Sequence, residues 1–144
     1  MLRKAMVPLL ITLLLACVLH AQETFTVSGE VTFSKDADIY LLLKTKEEEK
    51  QDSVSSSRTV ILKLTAEQKT AKKASFTFVG VPKGLYAIHC FQDTNKNGKL
   101  DRCPRGFLLE PFATYKPSLL LGELDWGRNK FKVDKDIIGI RIEL

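Results

Sequence analysis

Beyond residue 21 the chain contains no apolar run near the roughly 20 residues that a membrane-spanning helix needs, no sustained helical periodicity and no internal repeat. An integral helical membrane protein and a repeat array are thereby excluded. Charge of one sign is also short. The formal net charge is +5, from 22 Lys and Arg against 17 Asp and Glu, and loss of an N-terminal leader carrying Arg3 and Lys4 would bring it to about +3. That excess is too small for a nucleic-acid-binding surface, and the run Lys69 to Lys73 reads as a solvated loop. With the leader gone, His89 is the sole histidine, and no nucleophile motif accompanies it. His89 and Cys90 are strand neighbours whose side chains point to opposite faces, which bars direct proton transfer between them. His89 therefore reads as a structural or surface residue, and the chain as a non-enzyme.

The N-terminus is built differently from everything after it. Arg3 and Lys4 precede an apolar run from Val7 to Leu19, which gives way to His20 and the small residue Ala21. This is the pattern of a secretory signal peptide over residues 1–21, followed by a single domain over residues 22–144. Two processing routes compete. "LLAC" at Leu14 to Cys17 resembles a lipobox and would put a lipid anchor on Cys17, whereas "LHA" before Gln22 suits ordinary signal peptidase. Apolar Val18 and Leu19 stand where a lipoprotein usually begins a polar tether, which favours the second route. The expected location is the periplasm or the extracellular space, with an outer-membrane lipoprotein as the alternative.

In the remaining chain apolar residues recur at every second position in short runs separated by polar breaks, the period of half-buried strands. Phe25, Val27, Val31 and Phe33 alternate across "TFTVSGEVTF", with Gly29 as a candidate bulge, and "DIYLLLK" after the "KDAD" turn completes a hairpin with it. "KTKEEEKQDSVSSSR" reads as a long exposed loop before the β-rich "TVILKL". Thr65 to Gln68 has the residues of a capping box for one or two helical turns. "SFTFVGVPKGLYAIHCFQD" is a strand through Phe76 and Phe78, a turn set by Pro82 and Gly84, and a second strand from Leu85 to Asp93. "GFLLEPF", "KFKV" and "IIGIRIEL" follow, with Ile138, Ile140, Ile142 and Leu144 on one face. The predicted fold is all-β: an antiparallel two-sheet sandwich of seven or eight strands, with a small barrel as the alternative.

The stretch most open to a chemical reading is "DTNKNGKLD". Asp93, Asn95, Asn97 and Asp101 place oxygen-bearing side chains at its first, third, fifth and ninth positions, and Gly98 permits a sharp turn. A hard cation such as Ca²⁺ takes six to eight oxygens, and alternate residues of a tight loop can turn theirs inward around one centre. The backbone carbonyl of Lys99 is a further candidate ligand, and Glu110 a supplementary one. The plainer reading is a polar β-turn, since Asn-Gly is a strong hairpin signal and Asx side chains bond their own backbone.

Across "FTFVGVPKGLYAIHCFQDTNKNGKLD" the chain resembles the bacterial exported family known as domain of unknown function 2141, with its phenylalanine strand, Pro-Gly turn, Tyr-Ala-Ile and Asp-x-Asn-x-Asn-Gly-x-x-Asp loop. Gly106, Glu110 and Phe112 partly echo its downstream positions. The phrase F-x-F-x-x-V-P-x-G-x-Y is also similar to prealbumin-like and carboxypeptidase-regulatory sandwich domains, which implies a Greek-key fold with the loop at one end. Gln92 stands where the family commonly has His, and Cys90 where it has an aliphatic residue.

Spacing and resemblance together favour a weak calcium site at Asp93, Asn95, Asn97, Lys99 and Asp101. Affinity is low because only two carboxylates lie inside the motif and Lys99, Arg102 and Arg105 add positive charge. Cys90 and Cys103 bracket the loop. A bond between them would stabilise by about 3 kcal/mol through chain entropy, but strand alternation puts Cys90 on the core face with Tyr86 and Ile88, where a free thiol packs as a small apolar residue. Phe112, Tyr115 and Trp126 are candidates for a glycan or peptide platform, and more often such rings close a core. The functional expectation is a non-enzymatic binding or structural module of the cell envelope, whose partner is an envelope protein or a glycan. A carbohydrate-binding module, or a carboxylate-dependent hydrolase built on Glu110 and Asp125, is the alternative.

Overall fold

The computed structural model describes residues 21–49, 56, 58–116 and 126–144. The expected leader with Cys17, most of the acidic and serine-rich run, and Asp125 lie outside the described residues. Among the described residues eight strands are formed: β1 (Thr24–Thr32), β2 (Asp38–Lys44), β3 (Thr59–Leu62), β4 (Lys73–Pro82), β5 (Gly84–Asp93), β6 (Phe112–Thr114), β7 (Phe131–Val133) and β8 (Ile137–Glu143). Three short helices accompany them, α1 (Lys46–Glu49), α2 (Ala66–Ala71) and α3 (Trp126–Asn129). Among the described residues no helix is long and apolar enough to cross a membrane.

The strands pair into two sheets, one in the order β4-β1-β8 and the other β3-β2-β5-β6, with β7 also on β5. Their inner faces carry the alternation read from the sequence. Val27, Val31 and Phe33 meet Phe76 and Phe78 from β4, and Ile39, Leu41, Leu43, Ile88 and Cys90 close the core from the other sheet. The two-sheet sandwich is therefore as the sequence pattern predicts.

The pairing within it is not. β1 and β2 do not form a hairpin: β1 pairs with β4 and β8, and β2 pairs with β3 and β5. The "KDAD" segment is a corner between the layers, held where Gln92 Nε2 donates to the carbonyl of Lys35 at 2.6 Å. Gln92, fully buried on the core face, is thus a polar plug that satisfies a corner no sheet ladder reaches. The Val81–Gly84 turn is likewise a corner, joining β4 of one sheet to β5 of the other. One pair also departs from antiparallel order, because β8 runs parallel to β1. The chain reaches β8 from β7 in the opposite sheet, and such a crossover can deliver a strand in either direction.

Two bulges reset the alternation on either side of β1. Phe25 faces Val81 and Val27 faces Phe78, so Thr26 opposes both Val79 and Gly80, and Gly80 takes φ +65°. On the other side Val27 faces Ile137 and Gly29 faces Ile140, so Ser28 opposes Ile138 and Gly139, the latter at φ +83°. A left-handed glycine inserts one residue and flips the strand's phase. Ile138 is consequently 79% exposed while Ile140 and Ile142 are buried, which corrects the expected shared face.

Locally encoded features form as read. Thr65 caps α2: its hydroxyl accepts from Gln68 N–H at 3.3 Å, and Gln68 Oε1 accepts from Thr65 N–H at 2.9 Å. "KEEE", expected as exposed loop, is the single turn α1, and it is not wholly exposed, since Glu49 has a side-chain exposure of only 9%.

Gly29 sets how closely β8 approaches β1. A Cβ there would run into the carbonyl oxygen of Ile140 and lie 2.7 Å from its Cβ. Backbone cannot yield as a flexible side chain does, so Gly29→Ala is expected to lower unfolding free energy by roughly 1–3 kcal/mol, measured by urea denaturation against a Gly106→Ala control. Gly106 has open space around its Cβ position, and its cost is backbone strain alone.

Candidate functional site

β5 is the strand that carries the site. It lies between β2 and β6, and every residue from Tyr86 to Asp93 is buried. Tyr86, Ile88 and Cys90 face the core, while Ala87, His89 and Phe91 face the opposite way and are covered there. Tyr40 stacks on Phe91 with ring centroids 4.9 Å apart, and Phe112 meets the His89 ring edge-on at 5.5 Å. The strand ends at Asp93, which is 3% exposed and so enters the loop from a rigid base.

Residues 94–111 connect β5 to β6, too long a connection for a simple Asn-Gly hairpin turn. The loop winds around the Asp93 carboxylate: Oδ1 accepts from Asn97 N–H at 3.0 Å and Oδ2 from Gly98 N–H at 2.8 Å. Asn95 Oδ1 also accepts from Asn97 N–H at 3.2 Å, and Asn97 Oδ1 accepts from Lys99 N–H at 2.9 Å. These Asx bonds require left-handed backbone at two places, Lys96 (φ +62°) and Gly98 (φ +72°). The second is legible as a glycine; the first is imposed on a lysine by the surrounding bonds.

The amides of Asn95 and Asn97 converge on one atom, Asp101 Oδ2, at 2.5 and 2.7 Å. The loop thus brings the side chains of Asp93, Asn95, Asn97 and Asp101 into one hydrogen-bonded cluster, and Lys99 enters through its backbone with an exposed side chain. Among the described residues no three His, Cys, Asp or Glu side chains gather as a metal cluster. The donor set is two carboxylates and two amides, all oxygen once each amide makes a half-turn about its last side-chain torsion. That set fits a hard cation, at the expense of the Asx bonds the amide oxygens make now.

Glu110 proves to be the brace of the loop. It is 6% exposed; Oε1 accepts from Thr94 N–H at 2.8 Å and from Thr94 Oγ1 at 3.2 Å, and Oε2 accepts from Asp101 N–H at 3.3 Å. One carboxylate therefore ties both ends of the 94–101 segment, and its oxygens are engaged by the backbone rather than offered to a ligand. Tyr40 forms the floor: its hydroxyl would be 3.6 Å from a Cβ built on Gly98. Burial, and then the charges of Asp93 and Asp38, hold its phenol above the ordinary pKa.

Other expected positions separate. Cys90 is buried in the core and Cys103 half-buried beyond the loop; both are free thiols, so the bracketing bridge is not formed. Burial pushes the Cys90 thiol far up, which leaves it an apolar filler. Tyr115 packs edge-on against Phe131 at 5.3 Å while Phe112 engages His89, so these two rings each have their own partner. His89 Nε2 lies 3.1 Å from Glu49 Oε1 and 3.0 Å from Oε2. Its single N–H is in line with Oε1, leaving buried Oε2 with no hydrogen bond of its own. Sequence reasoning missed this pair, because nothing distinguishes Glu49 from Glu47 or Glu48 before α1 is laid on β5.

Fold and loop together define a two-sheet β-sandwich with a braced, oxygen-rich loop at the end of its most buried strand. A family model described as an uncharacterized protein conserved in bacteria, domain of unknown function 2141, matches residues 22–139. The chain belongs to that family. No curated protein and no solved structure gives a match.

Two measurements test this geometry. Glu110→Ala strands three donors and is expected to cost about 1–3 kcal/mol, with hydrogen exchange accelerating over residues 94–101 in particular. A cation at Asp93 would oppose the charge that raises Tyr40, so saturating calcium is expected to shift one phenol titration to lower pH. Ultraviolet difference titration checks this, and the shift should vanish in Tyr40→Phe.

Proposed function

We propose that the chain is an exported, non-enzymatic binding or structural module of the bacterial envelope, whose loop from Asp93 to Asp101 is ordered by weakly held calcium. The observation that carries this reading is the convergence of Asn95 and Asn97 on Asp101 above an Asp93 carboxylate already fixed by two backbone N–H groups. Asp93, Asn95, Asn97 and Asp101 would hold the ion by their side chains and Lys99 by its carbonyl. The ion supplies charge neutralisation and cross-linking of the loop, with no part in bond making. Glu110 supports the reading as the group that keeps both loop ends in place.

Two features make binding weak. Each amide must leave an Asx bond to present its oxygen, and Lys96 and Lys99 raise the local positive potential. A dissociation constant on the order of 1 mM suits a compartment where calcium is abundant. The hydrolase alternative has less support, because both Glu110 oxygens already accept hydrogen bonds from the loop.

For such an affinity, 10 mM calcium adds about 1.4 kcal/mol to stability, a rise of roughly 5 °C in Tm. Differential scanning calorimetry of the wild type and of Asp101→Asn checks it. The wild type should shift with calcium and much less with magnesium, and Asp101→Asn, which keeps the amide contacts in shape, should lose most of the shift. An unmoved wild-type Tm, or an undiminished shift in Asp101→Asn, would sink the calcium reading.

A further inference from the structure

Past the loop the chain turns back on itself in a small hairpin. Arg102 and Leu108 form an antiparallel bridge. Cys103 N–H donates to the Phe107 carbonyl at 2.9 Å, Leu109 N–H to the Asp101 carbonyl at 2.9 Å, and Gly106 N–H to the Cys103 carbonyl at 2.8 Å. Arg102 Nη1 adds a bond to the Gly106 carbonyl at 3.0 Å, and Gly106 turns with φ +85°. The tip therefore has a determined backbone. Its pairing places Arg102 and Leu108 on one face and Phe107 and Leu109 on the other. Leu108 is half-buried, whereas Phe107 is 70% and Leu109 63% exposed.

Single exposed apolar residues need no explanation, but two large ones on the same face of one ordered hairpin form a surface. Its surroundings are basic. Between residues 93 and 110 the chain carries Lys96, Lys99, Arg102 and Arg105 against Asp93, Asp101 and Glu110; all four basic residues are exposed, whereas Asp93 and Glu110 are buried. Lys72, Lys73, His89 and Lys132 make ion pairs away from this tip.

We propose that this hairpin docks on a membrane surface containing anionic phospholipid, with Phe107 and Leu109 entering the interfacial zone and the basic side chains meeting the headgroups. Apolar side chains gain by leaving water while flanking cations are drawn to the negative leaflet, and the two terms act on the same tip. A second copy of the chain packed through the same tip would bring the basic set against itself, which like-charge repulsion opposes. An apolar groove on another protein would not by itself call for the four cations. The docking does not depend on calcium, since the four exposed basic charges already exceed the three acidic ones, two of which are buried.

The test is co-sedimentation of the protein as recovered after export with vesicles of phosphatidylcholine, alone or with about 30% phosphatidylglycerol, in EDTA and in calcium. Binding to the anionic vesicles is expected in EDTA, weakening with salt, and at least about tenfold tighter than to phosphatidylcholine alone. Phe107→Ala with Leu109→Ala should weaken it by about tenfold or more. Arg105→Glu should weaken it by more than the roughly fivefold of a single lost charge, and Tm should be unchanged in these exposed-site variants. Equal binding to both vesicles, undiminished binding by the variants, or self-association lost in Phe107→Ala without vesicle binding would each overturn the proposal. Docking that persists in EDTA while calcium leaves Tm unmoved would sink only the calcium reading.

Discussion

The constraint on which this molecule depends is that β5 must be covered on both faces. One face is met by the facing sheet in the ordinary way of a sandwich. The other bears His89 and Phe91 and is closed by Tyr40, Phe112 and Glu49 of α1, a second, mixed layer that a minimal sandwich would leave in water. Burial on both faces fixes the register of this strand, since a one-residue slip would exchange Tyr86, Ile88 and Cys90 in the core for a face carrying a histidine. Asp93, its last residue, inherits that rigidity.

The loop converts a rigid strand end into a shaped polar cluster with few residues. Asp93 gathers the backbone from below, Asp101 gathers the amides from the far end, and Glu110 joins the two ends from outside. Asp101 has a second duty, since its carbonyl accepts from Leu109 and so begins the basic and apolar hairpin. Loop and hairpin are therefore continuous through Asp101, whose carbonyl holds the Leu109 N–H while its carboxylate holds the two amides.

His89 and Cys90 illustrate how burial divides neighbours. The thiol points into the sandwich, where loss of hydration disfavours its ionised form. The imidazole points the other way into the mixed layer, where Glu49 supplies an acceptor. Adjacent residues on one strand thus meet different chemistry 180° apart, and neither supports a nucleophile-base pair.

What the sequence determined by itself is whatever depends on a residue's near neighbours. The period of two marks the strands and most inward residues, Thr65 and Gln68 announce their capping box, and Asp93, Asn95, Asn97, Gly98 and Asp101 spell out an oxygen-rich turn. Tertiary structure decided what depends on distant partners. It placed β1 and β2 in different sheets, ran β8 parallel to β1, turned Ile138 outward through the bulge at Gly139, made Glu110 a brace for residues 9 and 16 positions away, and set Glu49 against His89. The physical reason is one of range. Alternation and capping follow from backbone geometry within a few residues, whereas strand pairing and buried polar contacts are chosen by the total burial and hydrogen-bond satisfaction of the folded chain, which no local pattern contains.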